Sequence, residues 1–188
     1  MPMNLPTTTV RNYSYGTGKL YLGPTGSEPT EEVGVVKSGA SLVVTREKIT
    51  VEAGSPLQII DEKVIRERAV FSFVGIEWNF KRLVQALGAG ECSYEAGAGV
   101  CTRIRFGGDS DITHYALKFL HRTPLGDCIF IRLWECIPMT EMSMIFNQDA
   151  YQEFPQSYTA KNATTDWDSV ALGDKEQLYE LERIFAPS

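Results

Sequence analysis

The stretch from Ser41 to Gly88 constrains this chain more than any other part of it. It reads as two long extended runs hinged at Ala53-Gly54-Ser55-Pro56, the second leading into a short amphipathic segment that stops on a glycine. Along Leu42–Glu52 one face carries Leu42, Val44, Arg46, Lys48 and Thr50, and the other carries Val43, Thr45, Glu47, Ile49 and Val51. Toward the hinge, charges of both signs replace a clean apolar face, the pattern of a strand leaving its core. The return run repeats this in reverse. Asp61–Arg68 (DEKVIRER) holds six charges in eight residues, whereas Val70, Phe71, Phe73, Val74 and Ile76 are apolar on both faces, as in a strand buried on both sides. The expected element is a β-hairpin with an apolar base and a charged tip. A two-stranded ribbon of this kind is marginal by itself and gains stability against a partner surface.

The segment after it predicts a helix over about 79–87. Ile76, Phe80, Leu83, Val84 and Leu87 make one apolar stripe, with Asn79 as N-cap, Gly88 as the stop and Lys81, Arg82 and Gln85 on the polar face. Such a helix lies over a sheet or a barrel mouth. Residues 88–99 (GAGECSYEAGAG) read as a glycine-rich loop. They do not fit a phosphate cradle, because that loop follows a strand and opens a helix, whereas this one closes a helix.

The flanking sequence is read around this centre. Residues 1–18 form a polar, turn-rich arm, and 19–188 a single domain. Lys19–Leu22 makes a short strand, Thr25–Glu32 an acidic loop, and Lys37-Ser38-Gly39 a turn before the first long run. Further strands are expected at Val100–Phe106, Asp111–Arg122, Cys128–Ile137, Met139–Phe146 and Gln156–Lys161. Asp174–Phe185 fits a helix capped by Asp174 or a final edge strand. One helix among eight or nine strands predicts a mainly β fold, a β-sandwich or rolled β-barrel with one flanking α-helix and a protruding hairpin.

The composition argues against several functions. With 18 basic and 24 acidic residues the net charge is −6, opposite to what phosphate neutralisation on nucleic acid requires. The N-terminal MPMNLPTTTV lacks the basic start and apolar core of a signal peptide, and no apolar run approaches the ~18 residues of a membrane span. A soluble protein made in a cytoplasm is expected. Cys92, Cys101, Cys128 and Cys136 match no common zinc spacing. They are read as buried reduced thiols, with a Cys92–Cys101 bridge across the glycine-rich loop as the alternative. His114 and His121, seven apart on one predicted strand, face opposite ways and make no pair. Glu28, Glu31 and Glu32 are loop acids, no G-x-S-x-G occurs, and no thiol is spaced for Cys–His catalysis. No enzyme activity, cofactor or metal is expected.

The order of parts resembles the tail tube proteins of long-tailed bacteriophages. The features that carry the likeness are the polar arm, KLYLGPTG, the long hairpin with its G-S-P-L tip, Gly75-Ile76-Glu77-Trp78 and the helix ending A-L-G. Leu117–His121, the Cys128–Cys136 strand, Phe146-Asn147-Gln148-Asp149 and Tyr151–Pro155 continue it, so the likeness covers most of the chain from Lys19. It implies a β-sandwich or barrel core in a subunit that forms hexameric rings. These rings stack into a hollow tube that encloses the tape measure protein and later conducts the genome. It implies an extended C-terminal segment, a virion location, and neighbours at the tube ends (tail terminator, baseplate or tip proteins) or around it (a sheath). An acidic chain suits a lumen along which DNA slides without specific binding. Under this resemblance the hairpin supplies the contacts between subunits and rings. The candidates are Arg46, Glu47, Lys48, Glu52, Ser55, Pro56, Leu57, Asp61, Glu62, Lys63, Arg66, Glu67 and Arg68. The alternatives are another ring-forming tail component, such as a terminator or the tube protein of a contractile device, and a small-molecule-binding β-barrel.

Overall fold

The computed structural model describes residues 18–34, 36–76, 80–94, 101–107, 111–123, 126–139, 153–173 and 176–185. The N-terminal arm before Gly18, Asn79 and most of the expected Met139–Phe146 strand lie outside these residues.

The described fold is mainly β, as expected, with ten strands and one helix. In chain order they are β1 (Lys19–Pro24), β2 (Glu31–Glu32), β3 (Val36–Ala53), β4 (Gln58–Gly75), α1 (Phe80–Leu87), β5 (Glu91–Tyr94), β6 (Cys101–Arg105), β7 (Tyr115–Arg122), β8 (Cys128–Pro138), β9 (Phe154–Ala160) and β10 (Glu180–Ile184). Every pairing is antiparallel, and the main sheet runs β2-β1-β7-β8-β9-β4-β3. β8 divides its second edge: Cys128–Arg132 pairs with β10 and Cys136–Pro138 with β9.

The sheet rolls on itself. Phe71 of β4 and Phe119 of β7 have two strands between them in the sheet, yet their ring centroids lie 5.4 Å apart. One core therefore gathers Leu20 and Leu22, Ala69, Phe71 and Phe73, Leu117, Leu133, Cys136 and Tyr158. Tyr158 stacks on Phe73 at 6.0 Å with nearly parallel rings. Alternation explains the membership: Ala69, Phe71 and Phe73 are buried, while Val70, Ser72 and Val74 between them are half-buried. The expectation that this base is buried on both faces is thus corrected to one core face and one partly covered face. The ends of the rolled sheet, β2 and β3, are not paired with each other among the described residues, so no closed barrel forms there.

Several local readings change. Lys37-Ser38-Gly39 is not a turn that precedes a strand. β3 runs through it with a break in register between Lys37 and Ser41, and Gly39 takes φ 100° there. The glycine-rich segment contains β5, which pairs with β6, and a Cys92–Cys101 disulfide clasps the two strands with Cα atoms 5.7 Å apart. The reduced-thiol reading holds for Cys136, which is buried, and for half-buried Cys128. His114 precedes β7 instead of sharing it and sets Nδ1 2.6 Å from Glu135 Oε1, while His121 is buried on β7.

Helix α1 ends as expected on Gly88, whose N–H reaches Val84 O at 3.0 Å with φ 67°. Its polar face is only partly solvated: Lys81 is exposed, but Gln85 is buried and accepts a bond from Arg82 Nη1 at 2.7 Å. The acids read as loop residues explain this. Glu31 receives Lys81 Nζ at 2.7 Å and Arg82 at 3.4 Å, so β2 latches the helix to the sheet edge. Glu28 holds Lys118, and Glu32 holds Lys19. The C-terminal segment is extended, as β10.

Candidate interaction surface

β3 and β4 outrun the rest of the sheet. β9 pairs with β4 only from Val70 to Gly75, and beyond that the two strands pair with each other alone. Every residue from Val43 to Arg66 is exposed. The change from core to projection falls between Ala69, fully buried, and Arg68, exposed, where apolar alternation gives way to the charge-dense DEKVIRER run. The turn at the tip is 54–57, with Ser55, cis Pro56 and exposed Leu57.

The register decides how the ribbon's charges are used. Arg46 lies opposite Glu67 and Glu47 opposite Arg66. Arg46 grips Glu67 through two bonds, Nε–Oε2 at 3.0 Å and Nη2–Oε1 at 3.2 Å, and Arg66 reaches Glu47 at 3.3 Å. Lys48 meets Glu62 at 2.9 Å on a diagonal. The Glu67 carboxylate holds the Arg46 guanidinium above its ordinary pKa. Arg68 donates to Thr159 Oγ1 at 3.4 Å. Asp61 and Lys63 stand opposite the apolar Val51 and Ile49, and Glu52 stands opposite Ile59. Six of the expected contact residues therefore satisfy one another inside the hairpin, as exposed cross-strand pairs worth little individually.

Beside these charges the ribbon exposes many apolar side chains. Ile49, Val51, Leu57, Ile59, Val64 and two further isoleucines are exposed along it. Those two, Ile60 and Ile65, are the residues skipped in the β3–β4 register, one at each of two β-bulges on β4. The adjacent apolar pairs Ile59-Ile60 and Val64-Ile65 are the available sequence signal, because two neighbouring apolar residues break the strict alternation of a half-buried strand.

Beside the ribbon's base, the segment leading into β10 forms an open groove of about 560 Å³, lined by Arg46, Ile65, Glu67, Asn162, Glu176 and Tyr179. Arg132 pairs with Glu180 and Glu182, and Arg183 with Asp127, fixing β10 to the sheet. No group of three His, Cys, Asp or Glu side chains suited to a metal occurs among the described residues. No helix among them is long and apolar enough to cross a membrane.

These features define a class: a rolled antiparallel β domain with a latched helix and a long self-paired ribbon projecting from it. No family model matches the chain, and no curated protein matches it. Among solved structures, it is similar to a chain from the tail of an empty GTA particle, a structure computed with helical refinement and C6 symmetry. The identity is 10% and the TM-score 0.48, over 78% of this chain and 92% of that one.

Proposed function

We propose that this chain is a structural subunit of a phage-type tail. Copies form hexameric rings that stack into the tail tube, the conduit for viral DNA during ejection. The observation that carries the reading is the projecting ribbon, which exposes apolar side chains far from its own core and has the form of an arm made to meet another molecule. The resemblance of the order of sequence features to tail tube proteins supports another copy of this chain as that molecule. Two strand edges support it. The outer edge of β3 and that of β10 are unpaired among the described residues, and open edges are templates for strand addition by a neighbour. A repeated heterologous contact of this kind generates a filament. In this reading the tape measure protein and DNA occupy the lumen without specific binding, end-capping and tip proteins or a sheath meet the tube elsewhere, and the protein resides in the virion.

Negative-stain microscopy of the purified chain tests the proposal. Rings or hollow tubes are expected. A dispersed 21.0 kDa monomer at high concentration would overturn it.

A further inference from the structure

We infer that the ribbon grips a second copy of this chain through apolar side chains at its tip and its two β-bulges, while its charges hold the ribbon's own shape. This rests on the self-association reading above and states what the contact is made of. Leu57 is 70% exposed, Ile59 60%, Ile60 64% and Ile65 55%, and all four belong to the tip turn or the outer part of β4. A bulge adds a residue without a ladder partner and re-aims the strand, and here both added residues are isoleucines. Uncovered, such a ribbon is an aggregation hazard, which natural edges avoid by placing unpaired charge there. This ribbon instead pairs six of its ten charges internally. Arg46, Lys48 and Arg66 each have a carboxylate opposite or diagonal to them.

The ribbon's net charge points to the occupant. Between Val43 and Arg68 there are five cations and five carboxylates, so the ribbon is neutral although the whole chain carries −6. A neutral ribbon can approach another copy without the repulsion that the acidic bodies feel, and it offers no net charge to a polyanion or a strongly basic partner. Apolar surface and an open β3 edge suit a protein surface with strands of its own, and this chain has one at the free edge of β10, beside exposed Leu181 and Ile184.

Salt separates an apolar grip from an ionic one. The full chain's assembly threshold is measured by light scattering in dilute buffer, in sodium sulfate, and in about 1 M NaCl, where the screening length falls to ~3 Å. Sulfate is expected to lower the threshold, and NaCl to leave assemblies intact. An Ile60→Thr/Ile65→Thr chain is expected to need about tenfold more protein or more, equivalent to ~1.4 kcal/mol. An Arg46→Gln/Glu67→Gln chain should stay within about threefold of the parent. Dissolution by NaCl, or a larger loss in the glutamine variant than in the threonine variant, overturns this inference and leaves the self-association reading standing. A parent chain that fails to associate in every condition overturns both. The salt series uses the unaltered protein, so it decides the matter even where a variant melts early.

Discussion

Replacing Glu52–Ile60 with Asn-Gly is expected to leave the monomer almost as stable as before and to abolish assembly. Val51 and Asp61 face each other across the ladder, so a two-residue turn closes the shortened hairpin without shifting its register. All nine residues removed are exposed. Changes at such positions fall within about ±0.5 kcal/mol, and for a chain of this size ~1 kcal/mol moves the melting temperature by 2–4 °C. The expected shift is therefore within ~2 °C. The other end of the same strand sets the contrast. Phe71→Ala removes a fully buried ring that touches Phe73 and Phe119, for a loss of about 3–5 kcal/mol and a fall of roughly 6–20 °C. Circular dichroism melts at a dilution where light scattering detects no assembly isolate the monomer, since association would raise the apparent stability. A loss above ~5 °C on tip excision would show that the tip belongs to the monomer's cooperative unit. An excised chain that still assembled would refute the role given to the ribbon.

Further outcomes follow from the body of the fold. Gly88→Ala places a Cβ 2.5 Å from Pro138 Cγ and 2.9 Å from Ile112 Cγ2 at φ 67°, so a loss of about 2–4 kcal/mol is expected in denaturant melts. A parent-like midpoint would mean that the helix stop is looser than described. The Lys81 hydrogen bond, opposed by partial burial and aided by the charges of Lys81 and Arg82, holds Glu31 below its ordinary 4.5. A lowered carboxylate stabilises above its unfolded value and loses that contribution as pH falls through its folded one. The deficit of Glu31→Gln should thus be present at neutral pH, stay below ~1 kcal/mol because the pair is exposed, and fade as the medium is acidified below 4.5. A deficit independent of pH would exclude the ionic latch. Thiol titration without reductant should find one reactive cysteine in the native chain, Cys128, and two on unfolding, as burial shields Cys136 and pushes its thiol up. Four thiols in the unreduced unfolded chain would disprove the Cys92–Cys101 bridge.

Long-period patterns were legible in the sequence. The ribbon, its division near Arg68, the helix with its glycine stop and the strong β8 strand all rest on runs of many residues, where alternation or a stripe repeats. Short elements held by distant partners were not. β5 hides in a glycine-rich segment because its pairing with β6 and its disulfide, not its propensity, make it a strand. Gln85 reads as a surface residue, but Arg82, three residues earlier on the helix, donates to it while also bonding Glu31, 51 residues before Arg82. The adjacent pairs Ile59-Ile60 and Val64-Ile65 mark a break in alternation, but which residue of each pair is skipped is set by the pairing of the two strands. For the same reason the sequence did not reveal that six of the expected charged contact residues pair with one another inside the hairpin.

The divided edge of β8 has a consequence for how the molecule is completed during synthesis. Its Cys128–Arg132 half is paired on one side by β7, which precedes it, and on the other by β10, more than forty residues downstream. Until Glu180–Ile184 has been made, the strongest apolar strand of the chain keeps a bare edge beside half-buried Ile129 and Ile131. A chain interrupted before that point carries, in the middle of its sheet, the kind of open edge that β3 displays at its rim. Pairing of β10 is therefore what covers that half-edge of β8, and Arg132 and Asp127 stand there to receive its charges.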